Sequence, residues 1–211
     1  MTATASRITI EAMQAKYNPQ VSRLIVHGFR GKFQHLTNLS DEELALFFEK
    51  LFDQFPAEAA SRRIVALQEG QVLGTLSIKW NADSGKKQEN RKLPSWRSFH
   101  SIGTWDFLKL LIGLSLLDHQ PQAGECYIAD VAVHPDHRSK GIGKMLLEWA
   151  QQLVHAEPSL NMLSLHVSGK NPRAKHLYEQ LSFYTHSQGN SIMRHFLFNE
   201  RKWHYMILRL K

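Results

Sequence analysis

The residues best suited to chemistry in this chain lie in one run, VAVHPDHRSKGIGK, residues 131–144. An apolar stretch enters a loop with Pro135 and Arg138, and Gly141 and Gly143 then open a helical segment. Glycine lets the backbone turn sharply and lets a ligand approach its amides. The first N–H groups of a helix have no acceptor within it. Aligned with the helix dipole, they can hold a pyrophosphate. Arg138 and Lys140 add positive charge beside them. Two common phosphate patterns fail here. A P-loop needs Gly at position 138 and Ser or Thr after Gly143-Lys144, where the chain has Arg138 and Met145. A dinucleotide fingerprint needs a third Gly at position 146, which is Leu. Within the apolar strand Asp130 stands out, because a buried acid can have a raised pKa and serve as a general base. Its alternative is a hydrogen-bonded structural acid.

These residues must be held by regular elements. Residues 125–133 read as a central strand buried on both faces. A helix follows over about 141–155, with Ile142, Met145, Leu146, Trp149 and Leu153 on one face, and Pro158 prevents its extension. Residues 162–167 form another buried strand. Asn171-Pro172 opens the next helix, Asn as cap and Pro in the first turn. Upstream, 7–11 reads as a strand and 14–29 as a helix with Val21, Leu24, Ile25 and Phe29 on one face. Ser40 caps a helix that runs through Leu51, with Pro56 beyond it. Residues 63–67 and 71–80 form a hairpin turning at Glu69-Gly70. Residues 81–95 read as a loop. The apolar segment 105–117 is too short to span a bilayer and reads as a packed helix, or alternatively as a lid over a substrate pocket. Residues 183–187 and 203–210 close the sheet. Strands alternating with helices in the C-terminal half argue for an α/β layer.

The run Arg138-Ser139-Lys140-Gly141-Ile142-Gly143 resembles the [RQ]-x-x-G-x-[GA] motif of the GNAT acetyltransferases. A second stretch, Asn171 through Ala174, Leu177 and Tyr178 to Phe183, is similar to that family's N-x-x-A-x-x-L-Y-x-x-x-G-F pattern, with Ser182 where Gly is usual. That departure falls at a helix end, where Gly is preferred for left-handed geometry. The specific resemblance covers residues 125–183. It implies an α/β GNAT fold: a mixed, mostly antiparallel sheet of about six to seven strands, flanked by about four helices and splayed between two central parallel strands. It also implies a single domain over 1–211, with an insertion at 81–124 between the third and fourth strands.

The activity implied is acyl transfer from acetyl-CoA directly to an amine through a tetrahedral intermediate, with no metal. The resemblance places the pantetheine arm along Val131, Ala132 and Val133, and the pyrophosphate on the amides of Ser139, Lys140, Gly141, Ile142, Gly143 and Lys144. Arg138 and Asn171 assist. Tyr178 occupies the family's position for the acid that protonates the leaving thiolate; its alternative is a core tyrosine. Glu125 occupies a position where some members keep a general base, acting directly or through water; its alternative is a solvated strand end, and Asp130 is its rival. A lysine-like amine, with pKa ~10.4, costs roughly 4–5 kcal/mol to deprotonate at neutral pH. A backbone amide near Val131 is the candidate oxyanion donor. His134 and His137 read as loop surface, and His166 as either a cleft or a core histidine. Cys126 reads as a small buried residue.

The bulk properties fit. The 211 residues, 43% hydrophobic, suffice for a sizeable core. The single cysteine excludes an internal disulfide and a cysteine-rich zinc site, and points to a reducing, cytoplasmic setting. The N-terminus shows no secretory pattern, and no apolar run reaches the ~20 residues a bilayer span needs, so no membrane partner is expected. The twelve histidines show no metal-binding spacing. The formal charge of +7 is scattered, so it does not argue for a nucleic-acid partner. The competing function is a non-catalytic acyl-CoA-binding or regulatory module. The acceptor, a small molecule or a peptide amine, is left open, as is a longer acyl donor; the loop at 81–100, segment 105–117 and the first two helices are expected to shape its pocket. A homodimer is expected by family habit.

Overall fold

A computed structural model describes residues 6–55, 60–81, 99, 102–190 and 199–211. Strand β1 (Thr9–Ala12) leads into a 3-10 turn (Ala15–Tyr17) and helix α1 (Asn18–Phe33). The helix starts later than the apolar spacing suggests, because Pro19 sits in its first turn, where its fixed φ and missing N–H are tolerated. Helix α2 (Asp41–Gln54) begins with a full capping box: Glu43 N donates to Ser40 Oγ at 3.3 Å, and Ser40 N donates to Glu43 Oε2 at 2.8 Å. Strands β2 (Ser61–Gln68) and β3 (Gln71–Trp80) form the expected hairpin. Its two-residue turn has positive φ at both Glu69 (51°) and Gly70 (78°), the twist that strand pairs favour. Helix α3 (Thr104–Leu117) precedes β4 (Glu125–Val133), α4 (Ile142–Ala156), β5 (Met162–Ser168), α5 (Pro172–Gln180), β6 (Tyr184–Asn190) and β7 (Lys202–Arg209).

These strands form one seven-stranded sheet in the order β1-β2-β3-β4-β5-β7-β6. Every neighbouring pair is antiparallel except β4–β5. That parallel pair is short, joining Glu125–Ile128 to Met162–Leu165. Beyond it β4 stays with β3 and β5 stays with β7, so the two central strands part. The cause lies in the register with β3: Ile78 faces Ile128 and Ser77 faces Asp130, leaving Ala129 as an extra residue. Such a bulge bends its strand and sharpens the local twist.

Two cores flank the sheet. On one face α1, α2 and α3 bury Val21, Leu24, Leu44, Phe47, Phe107 and Leu110. Phe99 joins them, with ring centroids 5.3 Å from Phe47 and 5.1 Å from Phe107. On the other face α4 buries Ile142, Leu146, Leu147, Ala150 and Val154 against Ile64, Leu76, Ile78 and Leu163. This corrects the expected stripe of α4: Leu147, Ala150 and Val154 join Ile142 and Leu146 in the core, while Trp149 and Leu153 are only partly buried. Each fully buried aliphatic side chain contributes about 1.5–3 kcal/mol, so the two cores hold both sides of the split firmly. The loop at 82–98 and Pro56 lie outside the described residues.

Candidate active site

Where β4 and β5 separate, a cleft of about 530 Å³ opens. Ala129, Asp130 and Val131 line one side, and His166, Val167 and Ser168 the other. Asn171, Ala174 and Tyr178 of α5 also face it. Ala132 is buried, so Val131 is the member of the expected Val131–Val133 trio that lines the cleft.

The loop into α4 has the geometry expected of an anion cradle. Ser139 and Gly141 both have positive φ, 62° and 81°. The first helical bond into this turn runs from Met145 N to Gly141 O at 3.0 Å, which leaves Ile142, Gly143 and Lys144 with amides that the helix itself does not use. A Cβ at Gly141 would meet nothing within 4 Å, so its requirement is conformational. Gly143 serves packing instead: a Cβ there would lie 3.2 Å from Leu177 of α5. Arg138 points back, its Nε donating to Val133 O at 3.3 Å. Lys144 faces Glu148 at 3.7 Å on the helix surface. Arg173, which the sequence reading did not single out, donates from Nη2 to Ser139 Oγ at 2.6 Å and brings a second guanidinium to the loop. Asn171 caps α5 by accepting from Ala174 N at 3.1 Å.

Tyr178 is partly buried on α5, with its ring centroid 5.9 Å from Phe183. Burial pushes its hydroxyl pKa up to about 12, so it keeps its proton throughout the neutral range. Ser182, in place of the usual glycine, adopts φ 67°. The helix end still closes, with Phe183 N donating to Tyr178 O at 3.0 Å.

Glu125 is not a solvated strand end. Its side chain has no exposed surface. Tyr205 donates to Oε1 at 2.8 Å, and His119 Nε2 lies 2.9 Å from the same oxygen. Ser164 Oγ also donates there, and the Gln122 amide donates to Oε2 at 2.8 Å. Burial raises its pKa, but the bonds from His119, Ser164, Gln122 and Tyr205 outweigh it and hold the carboxyl at about 2. Asp130 is held in a two-point pair with Arg63, both oxygens 2.7 Å from the guanidinium. Cys126 is buried, and burial followed by the Glu125 charge pushes its thiol up to about 12, which makes it a poor nucleophile.

A second cavity of about 750 Å³ adjoins the cleft, sharing Phe29, Lys32, Ala129, Asp130, His166 and Trp203 with it. Helices α1 and α2 line it, and so do Leu111, Leu114 and Leu117 of α3. Helix α3 therefore both packs on the core and walls a pocket. Tyr127 and His166 meet between the two spaces, the hydroxyl 3.1 Å from Nδ1. His119 stacks beside them, its centroid 4.4 Å from Tyr127 and 5.4 Å from His166. The sequence reading missed Arg63, His119, Ser164 and Tyr205. One signal was present: Ser164, His166 and Ser168 are alternate polar residues in an otherwise apolar strand, and so share a face. Among the described residues, no group of three or more His, Cys, Asp or Glu is placed to hold a metal. None of their helices is long and apolar enough to cross a membrane.

A mixed sheet split between its central parallel strands, with a loop of two positive-φ residues leading from one of them into a helix, is an α/β architecture. The model of the acetyltransferase (GNAT) family matches residues 32–183, and the chain belongs to that family. Curated proteins yield no match. Solved structures share the fold at low identity. The spermidine N-acetyltransferase of Vibrio cholerae in complex with CoA and spermine is 18% identical, with TM-score 0.59, over 96% of this chain and 95% of its own. The GNAT-family acetyltransferase of Streptococcus pneumoniae is 16% identical, with TM-score 0.54, over 97% of this chain and 100% of its own. The ribosomal-protein-alanine N-acetyltransferase of Escherichia coli is 17% identical, with TM-score 0.57, over 97% and 95%. The protein is an acyltransferase by family.

Proposed function

We propose that this protein transfers an acetyl group from acetyl-CoA to an amine, within a single domain. The observation that carries the reading is the parting of β4 from β5, which opens a cleft along the free edge of β4 that meets the larger cavity at Ala129, Asp130 and His166. The residues present suit acetyl-CoA. The amides of Ile142, Gly143 and Lys144, with Arg138 and Arg173 nearby, suit a pyrophosphate. The β4 edge beyond Ile128 offers backbone groups to an amide-bearing arm. Acetyl-CoA supplies the activated thioester carbonyl.

The chain then has three tasks. A backbone amide on the edge of β4 freed from β5 beyond Ile128, near Val131, donates to the developing oxyanion, where one such donor is worth ~100–1000-fold. Tyr178 donates its retained proton toward the leaving sulfur, a contribution of ~100–10,000-fold. The amine's proton is taken up at His166, which faces both cavities and is hydrogen bonded to Tyr127. Glu125, held at about 2, is too weak a base to take it. Its part is to fix His119. Asp130 is committed to Arg63 and shapes the junction. The lone cysteine, buried at Cys126, fits a reducing compartment such as the cytoplasm.

The test is steady-state transfer to a panel of amines by the wild type and by His166→Gln. We expect turnover, and a loss of ~100-fold or more in kcat at neutral pH for the variant. Saturable acetyl-CoA binding with no acetylated product from any amine would replace this reading with that of a binding module.

A further inference from the structure

Resting on the reading that an amine is acetylated here, we propose that the acceptor is a monoamine carried on an apolar body of about aromatic or medium-chain alkyl size, and not a polyamine. The larger cavity, about 750 Å³, is in the range of sites for drug-sized ligands. Its far wall is built from two helices. Phe48, Leu51 and Phe52 come from α2, and Leu111, Leu114 and Leu117 from α3. Each set follows helical spacing, so each helix turns one apolar stripe into the space.

The charges point the same way. A polyamine carries several separated cations, and each needs an anion or water when it leaves solvent. Among the described residues the cavity's carboxylates are already engaged. Asp130 is in its two-point pair with Arg63. Asp118 pairs with Lys79. Asp53, exposed, accepts from Asn18 Nδ2 at 2.5 Å. A further cation, Lys32, lies over the rings of Phe29 and Trp203, 4.7 and 4.9 Å from their centroids. Three acids, Asp53, Asp118 and Asp130, thus face four bases, Lys32, Arg62, Arg63 and Lys79, and a chain of additional positive charges finds no surplus of anions to receive it. An apolar tail needs none. It fits with its body between α2 and α3 and its single nitrogen at Ala129 and His166, where the cavity opens to the donor cleft. The polyamine named as ligand of the Vibrio cholerae structure therefore does not transfer to this chain.

The experiment compares 2-phenylethylamine, tryptamine and octylamine with spermidine and spermine, using the full chain and acetyl-CoA. We expect kcat/KM for the best apolar monoamine to exceed that for spermidine by at least about 100-fold. Leu114→Glu, which puts an unpaired acid into the wall, should narrow that ratio at least about 10-fold while acetyl-CoA still binds. If that variant does not fold, Phe52→Ala should lower kcat/KM for the apolar amines alone. Equal or better use of spermidine by the wild type overturns the proposal and leaves acetyl transfer intact. If no amine is turned over, calorimetry of 2-phenylethylamine and of spermidine in the presence of CoA decides. Binding of the first alone supports the cavity's class while the transfer reading falls. Binding of spermidine, or of neither, overturns it.

Discussion

The two cavities are built by different means. The proposed donor site rests largely on backbone: the strand edge of β4 freed beside the cleft and, at the loop into α4, two residues with positive φ and the unused helix amides. The cavity proposed for the acceptor is walled by side chains from helices α1, α2 and α3, backed by ion pairs that join distant parts of the chain. Backbone sites demand particular residues at fixed spacing and tolerate little else. Side-chain sites demand only apolar character on a face, so their occupants can change while the fold is kept. Chemistry should therefore be lost sharply on one side of the junction, and selectivity altered on the other.

The largest effect expected falls on the donor side. Tyr178→Phe should lower kcat by ~100–10,000-fold, while calorimetry shows acetyl-CoA affinity within about twofold of wild type. A parallel loss of affinity would make Tyr178 a packing residue.

Next comes Glu125, whose network ties the base of the split together. Its folded pKa of about 2 lies below the ordinary 4.5. The stabilisation is therefore full above pH about 4.5 and is lost as the pH falls toward 2. Its size is about 3 kcal/mol from the depression alone. Urea titrations between pH 7 and pH 3 should show the wild type losing stability in that window, and Glu125→Gln, already weaker at pH 7, losing less. Parallel curves for the two proteins would show that Glu125 does not carry this linkage.

Smaller still is the strain at Gly141. An L-residue in the left-handed region costs roughly 1–2 kcal/mol, so Gly141→Ala should weaken acetyl-CoA binding about 10-fold with little change in acceptor KM. The least is Ser182→Gly, which relieves the same kind of strain at φ 67° and should raise stability by about 0.5–1 kcal/mol in a denaturant melt.

The same division explains what could be read from the sequence. The Arg138–Gly143 run, the Asn171 cap and the Tyr178 position were legible because each is local: a few neighbouring residues impose a turn or a helix start. The Ser40 capping box and the Glu69-Gly70 turn were legible for the same reason. The onset of α1 was not, since a 3-10 turn absorbs Ala15–Tyr17 before Pro19 sets the helix. The pairing of Asp130 with Arg63 and of Glu125 with Tyr205 was hidden too, because these partners lie 67 and 80 residues away. No local pattern announces a pair of that separation. The bulge at Ala129 was equally silent, being a mismatch between two strands and a property of neither alone.

The measurement that tests the account most directly is a calorimetric titration of the full chain with acetyl-CoA, run beside Gly141→Ala. One saturable site that survives moderate salt, weakened about 10-fold by the substitution, is the result the cleft predicts. A folded protein that does not bind acetyl-CoA, or a Gly141→Ala variant that binds as tightly as the wild type, would contradict the assignment of the donor site to the start of α4.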